Sequence, residues 1–269
     1  MTTCACGQPH QPPAPILGGQ EIALETPLIG LTGTLACADM GQMLLALELL
    51  PDHVALSRAE PGNLRFDLVQ QDDPLVWQLN ELFADEASFA AHQTRTRASR
   101  WGRDSAALTR DFQRRPVLPR IRPEHAQDQP GIAALLTRSF GGPAEAALVD
   151  ALRAEGDLAL SLVAEAGGTI LGHVALSPLR AAGPALALAP LAVHPAVRRR
   201  DIGAALVHAA IAAAPGHAIV LLGDPDYYGR FGFEPADLAS PYAGPHLLVL
   251  GPDLPPGSAI HHAQAFVRL

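Results

Sequence analysis

The chain has 269 residues, of which 48% are apolar and only 5% aromatic, so its core must be built mainly from alanine, leucine and valine. All 19 basic side chains are arginine, which excludes lysine Schiff-base chemistry and the lysine-containing Walker A phosphate loop. The formal net charge of −8 argues against a nucleic-acid or anionic-membrane partner, and we expect a cytoplasmic protein.

Residues 1–20 are rich in proline and glycine and show no apolar periodicity, which predicts a disordered tail. They have neither the basic region nor the apolar segment of a signal peptide. An alternative interpretation is that this segment binds a metal through Cys4, Cys6 and His10. The C-x-C spacing is too tight for the usual zinc site, and a fourth ligand is missing. We predict no metal site and no disulfide framework.

The block 21–115 is predicted to contain a strand, a helix, a two-stranded hairpin and a second helix. Apolar residues recur at three- and four-residue spacing over 40–50, which is typical of a helix. Alternating segments on either side of the turn at 71–74 predict the hairpin, and Asp85 is the expected N-cap of the next helix. A further helix is predicted over 101–112. This order suits a split β-α-β sheet with helices on one face.

Two prolines bracket two apolar residues in the segment 114–119, which predicts a linker between domains. The block 119–269 then alternates between strands and helices, and it predicts a mixed sheet flanked by helices, so the whole chain is of the α+β class. The predicted strands are 120–122, 158–165, 169–176, 185–193, 217–222 and 263–269, and the main predicted helices are 129–140, 144–154 and 202–214.

A buried strand enters an arginine-rich loop and then a helix between residues 191 and 206. Helix N-termini bind phosphate through unpaired N–H groups, and three consecutive arginines add positive charge beside this one. Gly203 in the first turn lets a ligand approach the backbone. A solvated basic loop capped by Asp201 is the alternative. The residues predicted to bind the phosphate-containing ligand as a whole are Leu191, Ala192, Val193, Arg198, Arg199, Arg200, Asp201, Ile202, Gly203 and Ala204.

This stretch resembles the GNAT acyltransferase superfamily in its strand, its V-x-P turn and its R/Q-x-x-G-x-G/A loop. The run Y-Y-x-R-F-G-F within 223–235 and the segment 172–178 are similar to two further signatures, in the same order along 119–269. The loop differs from the family pattern at one position, because Asp201 stands where the family has its first glycine. A carboxylate at that position repels a diphosphate, and its side chain hinders close approach to the backbone.

The resemblance implies acetyl-CoA as cosubstrate and direct attack of an amine on its thioester, without a metal. A backbone N–H within 191–193 would polarise the carbonyl, and Tyr228 matches the tyrosine that protonates the departing thiolate in family members. We expect His173 to be the general base. His194, Glu165, Asp224 and water are the alternatives, and Asp224 is better explained as the N-cap of a short helix.

Residues 28–101 resemble the antibiotic biosynthesis monooxygenase-like family, which has a dimeric ferredoxin-like fold. The resemblance rests on the hairpin 60–67, the segment 80–83 and the F-x-x-H sequence at 89–92. It implies a homodimer formed through this domain.

Two functions compete with N-acetyl transfer to a small-molecule or peptide amine. One is a cofactor-independent monooxygenase activity in the first block, and the other is a non-catalytic protein that binds CoA or a metabolite. The loops at 140–143 and 240–245 are the expected walls of the acceptor site.

Overall fold

A computed structural model describes residues 21–268, so the predicted disordered tail at 1–20 and its cysteines lie outside the described residues. Contacts between residues divide the described chain into two compact units. The first contains residues 23–119, with the short segment 166–169 grouped to it, and the second contains residues 21–22, 120–165 and 170–268.

The first unit is a four-stranded antiparallel sheet with helices packed against it. Its strands run in the order β2-β3-β1-β4, and the chain order is β-α-β-β-α-α-β, which is the ferredoxin-like arrangement with one short extra helix. Phe66, Phe83, Trp77 and Trp101 are among the buried side chains of its core. The elements are β1 (Leu28–Ala36), α1 (Met40–Ala59), β2 (Asn63–Gln70), β3 (Val76–Phe83), α2 (Glu86–Ala98), α3 (Arg100–Asp104) and β4 (Thr109–Val117).

The last strand of this unit, β4, corrects two predictions. The helix predicted over 101–112 was wrong, because α3 ends at Asp104 and a strand begins at Thr109. The linker predicted over 114–119 was wrong for residues 114–117, which belong to β4, where Val117 pairs with Leu28 of β1. An edge strand tolerates Pro116 because its outer backbone groups need no partner in the sheet.

The second unit is a mixed sheet with helices packed on it. The sheet runs β5-β6-β7-β8-β9-β10 and ends on the short strand Glu234–Pro235, while Ile22–Ala23 lies beside β5. Strands β8 and β9 are parallel, and β10 returns antiparallel to β9. The elements are β5 (Arg120–Pro123), α4 (Gln129–Phe140), α5 (Ala144–Glu155), β6 (Leu160–Ala166), β7 (Thr169–Pro178), β8 (Ala185–Val193), α6 (Ile202–Ala212), β9 (Ala218–Leu222), α7 (Pro225–Tyr228) and β10 (Leu247–Leu250).

The end of the chain departs from its predicted strand. Gln264–Arg268 is a 3-10 helix, so the strand predicted over 263–269 was wrong. The alternating apolar residues that suggested a strand do not share a buried face, because Ala265 packs on Leu148 and Leu152 of α5 while Val267 is 75% exposed.

The described residues contain neither a membrane-spanning helix nor a metal-type cluster. No helix among them is long and apolar enough to cross a membrane, and no three of their histidine, cysteine or acidic side chains cluster as a metal site would require.

Candidate cofactor and acceptor clefts

The parallel strands β8 and β9 separate part of the way along their length. They are paired only between Ala185–Ala187 and Ala218–Val220. Beyond this point β9 pairs with β10, and β8 pairs with β7 across a bulge between Val174 and Leu176. The sheet therefore opens between the second half of β8 and the end of β9.

The backbone of β8 directs two amides into this opening. The N–H of His194 donates to the carbonyl of Leu171 at 2.8 Å, which makes these two residues a hydrogen-bonded pair. Because such pairs alternate along antiparallel strands, the N–H groups of Leu191 and Val193 point away from β7. The carbonyl of Val193 also points away, since it accepts a 3.4 Å hydrogen bond from Nε of Arg198.

A first cleft of about 630 Å³ lies at the junction of β8, the arginine-rich loop and α6. All of the predicted binding residues except Arg200 line it. Five further residues line it that the sequence did not indicate as cofactor-binding, namely Ser139, Phe140, Val197, Tyr227 and Arg230.

Guanidinium groups dominate the charge of the first cleft. Arg198, Arg199 and Arg230 line it against one carboxylate, that of Asp201. Arg230 is held with its guanidinium 4.2 Å from the ring centroid of Tyr227. Such groups form strong charge-assisted hydrogen bonds to phosphate oxygens. Arg230 lies inside the Y-Y-x-R-F-G-F run, which is the signal that could have identified it.

The loop before α6 has unusual backbone geometry at Asp201, which has φ 59° and ψ 3°. Arg199 also has a positive φ, of 60°. The alternative that Asp201 caps α6 with its side chain was wrong, because that side chain accepts no hydrogen bond from the first turn. The left-handed backbone explains why a glycine is suited to this position. It also leaves the first amides of α6 free of a side-chain cap from Asp201.

A second cleft of about 810 Å³ adjoins the first and shares Phe140 and Leu191 with it. It lies along the opening between β8 and β9. The polar side chains that line it are Glu145, Tyr228, Tyr242 and His262. Phe140 and Tyr242 belong to the two loops expected to form the acceptor site. The remaining lining residues are Leu148, Ala187, Leu188, Ala189, Pro190, Val220, Leu221, Leu222, Gly223, Pro241, Phe266 and Val267.

Tyr228 lines the second cleft, where its ring rests on the backbone of Gly223. A Cβ at Gly223 would lie 2.2 Å from Cε2 of that ring, so only glycine leaves room for it. The rings of Tyr227 and Phe233 pack around it with centroids 4.9 and 5.8 Å away. Burial, with a smaller contribution from Tyr227, raises the pKa of Tyr228 to about 12. Its phenol is therefore neutral and able to donate a proton.

His173 is fully buried on β7 and lines neither cleft. Its Nε2 lies 2.9 Å from Oγ of Ser161, whose hydroxyl donates to Glu124. Burial, and then the charge of Arg153, lower the pKa of His173 to about 3. The imidazole is neutral, but the structure does not bring it to the surface of either cleft.

Of the other candidate groups for proton transfer, His262 lines a cleft and His194 lines neither. His194 lines neither cleft, and burial with the charges of two arginines lowers its pKa to about 4. Glu165 is buried and accepts a 2.9 Å hydrogen bond from Arg120. Asp224 caps α7 by accepting from the N–H of Asp226 at 3.0 Å, which confirms the capping interpretation. His262, which sequence reasoning missed, lines the second cleft, and burial followed by the charge of His261 lowers its pKa.

The first unit encloses a cavity of only about 130 Å³ between its sheet and helices. Glu81, His53 and His92 line it, and His53 stacks on Trp101 with centroids 5.1 Å apart. Nδ1 of His92 lies 2.7 Å from the carboxylate of Glu60. Pockets that hold small molecules usually measure roughly 300–1,000 Å³. This cavity is therefore too small for a phenolic substrate of ordinary size.

Replacing Glu81 by glutamine is expected to stabilise the chain at alkaline pH. Burial, followed by the charge of Glu60, raises the pKa of Glu81 to about 8, and its Oε2 has no partner among the described residues. Between pH 4.5 and 8 the folded state keeps a proton that the unfolded state has lost, so wild-type stability falls as pH rises. The variant should gain about 3–4 kcal/mol over wild type between pH 5 and pH 8.

Urea unfolding of both proteins at the two pH values measures this gain. Protonation of the unfolded histidines affects both proteins alike and cancels in the difference. A difference that does not change with pH would mean that Glu81 is ionised in the folded state.

Comparison with known proteins agrees with both sequence resemblances. Residues 130–233 match the family model described as Acetyltransferase (GNAT) family, and residues 39–103 match that described as Antibiotic biosynthesis monooxygenase. The uncharacterized N-acetyltransferase YhbS of Escherichia coli is 46% identical over 121 residues, which are 42% of this chain and 72% of the relative.

One solved structure gives the same result for the second unit. The crystal structure of E. coli YhbS in complex with CoA has a TM-score of 0.52 and 37% identity, and the match covers 56% of this chain and 92% of that one. A GNAT acetyltransferase from Brucella melitensis in complex with acetyl-CoA is 36% identical over 54% of this chain and 96% of its own, with a TM-score of 0.48. The chain therefore belongs to the GNAT family of acetyltransferases and carries a ferredoxin-like domain of the antibiotic biosynthesis monooxygenase type.

Proposed function

We propose that the chain transfers an acetyl group from acetyl-CoA, its cosubstrate, to an amine bound in the second cleft. The first cleft would hold the diphosphate. The observation that supports this division is that the two clefts meet at Leu191, on the part of β8 whose amides are turned into the opening of the sheet. An acceptor in the second cleft would reach the same backbone from the other side.

The residues of the first cleft suit CoA in shape and charge. A Cβ at Gly203 would lie 3.0 Å from the hydroxyl of Tyr227 and 3.4 Å from Cγ2 of Val193, so the glycine keeps this wall open. Arg198 and Arg230 are suited to the diphosphate charge. When bound, acetyl-CoA supplies an electrophilic thioester carbonyl and a thiolate leaving group.

Groups of the chain itself can stabilise the negative charge that develops on the thioester oxygen and can protonate the departing thiolate. The N–H groups of Leu191 and Val193 are fixed donors for an oxygen that gains negative charge, and they need no rearrangement to act. Tyr228 holds its proton well above neutral pH because of burial, and it can deliver that proton to a departing thiolate.

We propose His262 as the group that accepts the proton of the amine. It lines the acceptor cleft, and its lowered pKa keeps it neutral at pH 7. His173 was the base expected from the sequence. Its complete burial and its hydrogen bond to Ser161 favour a role in holding β7 against its neighbours instead.

A direct test combines binding with turnover in the full chain. We expect calorimetry to detect acetyl-CoA binding at one site per chain, and thiol release from acetyl-CoA to rise when amines are added. Absence of acetyl-CoA binding would overturn the proposal. Binding without release for any amine would favour the non-catalytic alternative.

Replacing Asp201 by glycine is expected to lower the Kd for acetyl-CoA about fivefold. The change removes a carboxylate from a cleft that otherwise carries positive charge, and it removes a side chain that hinders close approach of the ligand to the backbone. Calorimetry at low and high salt measures the effect, which should shrink as salt screens the charge.

Asp201→Asn is the matched control, because it removes only the charge. If both variants bind acetyl-CoA as wild type does, Asp201 does not hinder the cosubstrate.

We infer that the first unit, predicted as a domain over 21–115 ahead of 119–269, serves mainly for homodimerisation. Met40, Leu44 and Leu47 share one face of α1 and are 56%, 60% and 46% exposed, which is unusual for apolar side chains. Light scattering on the full chain tests the dimer. A monooxygenase activity is less well supported, because the cavity of this unit is small.

A further inference from the structure

We propose that the acceptor is a primary amine carried on an apolar body of aromatic size, with its ammonium form attracted by Glu145. This inference rests on the proposed function, because it assigns the second cleft to the acceptor. The juxtaposition that carries it is one carboxylate in a cleft that otherwise offers almost entirely apolar and aromatic side chains.

Exposed apolar surface in the second unit is concentrated at this cleft. Within residues 120–268, the large apolar side chains that remain exposed are Phe140, Leu222, Tyr242 and Val267, and all four line the second cleft. Exposed apolar side chains gathered in one place mark a binding surface. A ligand with apolar surface would cover them, and the burial would contribute to its affinity.

The cleft offers few side chains that bind hydroxyl groups. No serine, threonine, asparagine, glutamine or arginine lines it. Apart from contacts with Glu145, His262 and the two tyrosines, the hydroxyls of an amino sugar would lose water there without gaining side-chain partners, which is unfavourable. The lining therefore selects against sugar-like acceptors.

The wall formed by the end of the chain is aromatic. The rings of Tyr242 and His262 meet edge to face at 5.4 Å, and those of His262 and Phe266 lie 5.2 Å apart. Such edges and faces pack well against another flat ring. The volume of about 810 Å³ is sufficient for an arylalkylamine.

Glu145 is the one charged residue among the lining side chains, apart from the titratable His262. It lies in the first turn of α5, and its carboxylate makes no ion pair or hydrogen bond with any other residue in the described part of the chain. A carboxylate beside apolar surface attracts a cation more strongly than one in open water. One carboxylate suits a monoamine better than a polyamine.

The test compares acceptors at saturating acetyl-CoA in the full chain. Thiol release is measured with 2-phenylethylamine, glucosamine, spermidine and a lysine-containing peptide. We expect kcat/KM for 2-phenylethylamine to exceed the other values at least tenfold. A higher value for any of the other three would overturn the acceptor class while leaving the acetyltransferase proposal intact. No release with any of the four amines would also overturn the acceptor class. In that case, acetyl-CoA binding measured by calorimetry would indicate a non-catalytic protein, and absence of binding would indicate that the cofactor assignment is wrong.

Glu145→Gln tests the cation site. The variant should raise the KM for 2-phenylethylamine about tenfold and leave kcat within twofold of wild type, because binding is lost equally in the ground and transition states. Asp150→Asn, on the same helix and outside the lining of both clefts, is the matched control and should change neither constant. An unchanged KM in Glu145→Gln would overturn the role of Glu145.

A neutral ligand gives a second measurement that needs no substitution. In the wild-type chain, 2-phenylethanol should bind at least tenfold more weakly than 2-phenylethylamine in competition assays. Equal binding of the two compounds would overturn the cation site even if Glu145→Gln failed to fold.

Discussion

Replacing Tyr228 by phenylalanine is expected to lower kcat about 100-fold and to leave the Kd for acetyl-CoA within twofold of wild type. Tyr228 lines the second cleft, and its pKa of about 12 keeps the phenol proton available for a departing thiolate. Loss of a positioned general acid typically costs a factor of about 10²–10⁴ in rate. Steady-state thiol release measures kcat, and calorimetry measures the Kd.

Tyr227→Phe is the matched control for this substitution. It removes the neighbouring hydroxyl, which faces the first cleft and Gly203 rather than the acceptor. We expect it to keep kcat within threefold of wild type. The proton-donating form of Tyr228 is present below its pKa and lost above it, so the wild-type rate should show no loss from this group between pH 7 and 10. Equal kcat values for Tyr228→Phe and wild type would remove Tyr228 from the mechanism.

The sequence predicted the second unit more accurately than the first because its elements carry strong periodic signals. The helix over Gln129–Phe140 and the strand over Ala185–Val193 agree with the structure at both ends. In the first unit, α1 continues past Pro51 to Ala59, although proline normally ends a helix. Strand β4 is mostly exposed, so it lacks the alternation of buried residues by which strands are recognised.

The candidate site was predictable where its residues are contiguous in sequence. The strand, loop and helix start at 191–204 supply most of the first cleft, and local chemistry was enough to identify them. The second cleft depends instead on the separation of β8 from β9, which no local sequence pattern encodes. Glu145 and His262 reach it from elements more than 100 residues apart, so only the fold brings them together.

Histidine 173 illustrates the opposite error, a residue of the right chemical type in an enclosed place. It lies on an all-buried stretch of β7, where the burial of both faces removes the alternation that would reveal which side chains face a cleft. Its partner Ser161 lies on β6, twelve residues earlier, and that hydrogen bond accounts for one of its two ring nitrogens. A histidine in such a strand has the chemistry of a general base, but its buried side chain lines neither cleft.

Substituting valine for Gly203 is expected to weaken acetyl-CoA binding at least 100-fold. The first atom of the new side chain would already lie 3.0 Å from the Tyr227 hydroxyl, and its two methyl groups would extend into the cleft between α6 and β8. Backbone amides at a helix start can bind phosphate only if the ligand reaches them, so a bulky residue there removes several hydrogen bonds at once. Calorimetry with acetyl-CoA and the ligand-induced rise in Tm measure the loss.

Gly229→Ala is the matched control, because a Cβ at Gly229 meets no atom within 4 Å and the residue lines neither cleft. It should bind acetyl-CoA as wild type does. Gly203→Val must also retain the wild-type Tm without ligand to within a few degrees, so that loss of binding is not loss of folding. If it folds and still binds acetyl-CoA with wild-type affinity, the diphosphate is not held at the start of α6, and the division of labour between the two clefts must be abandoned.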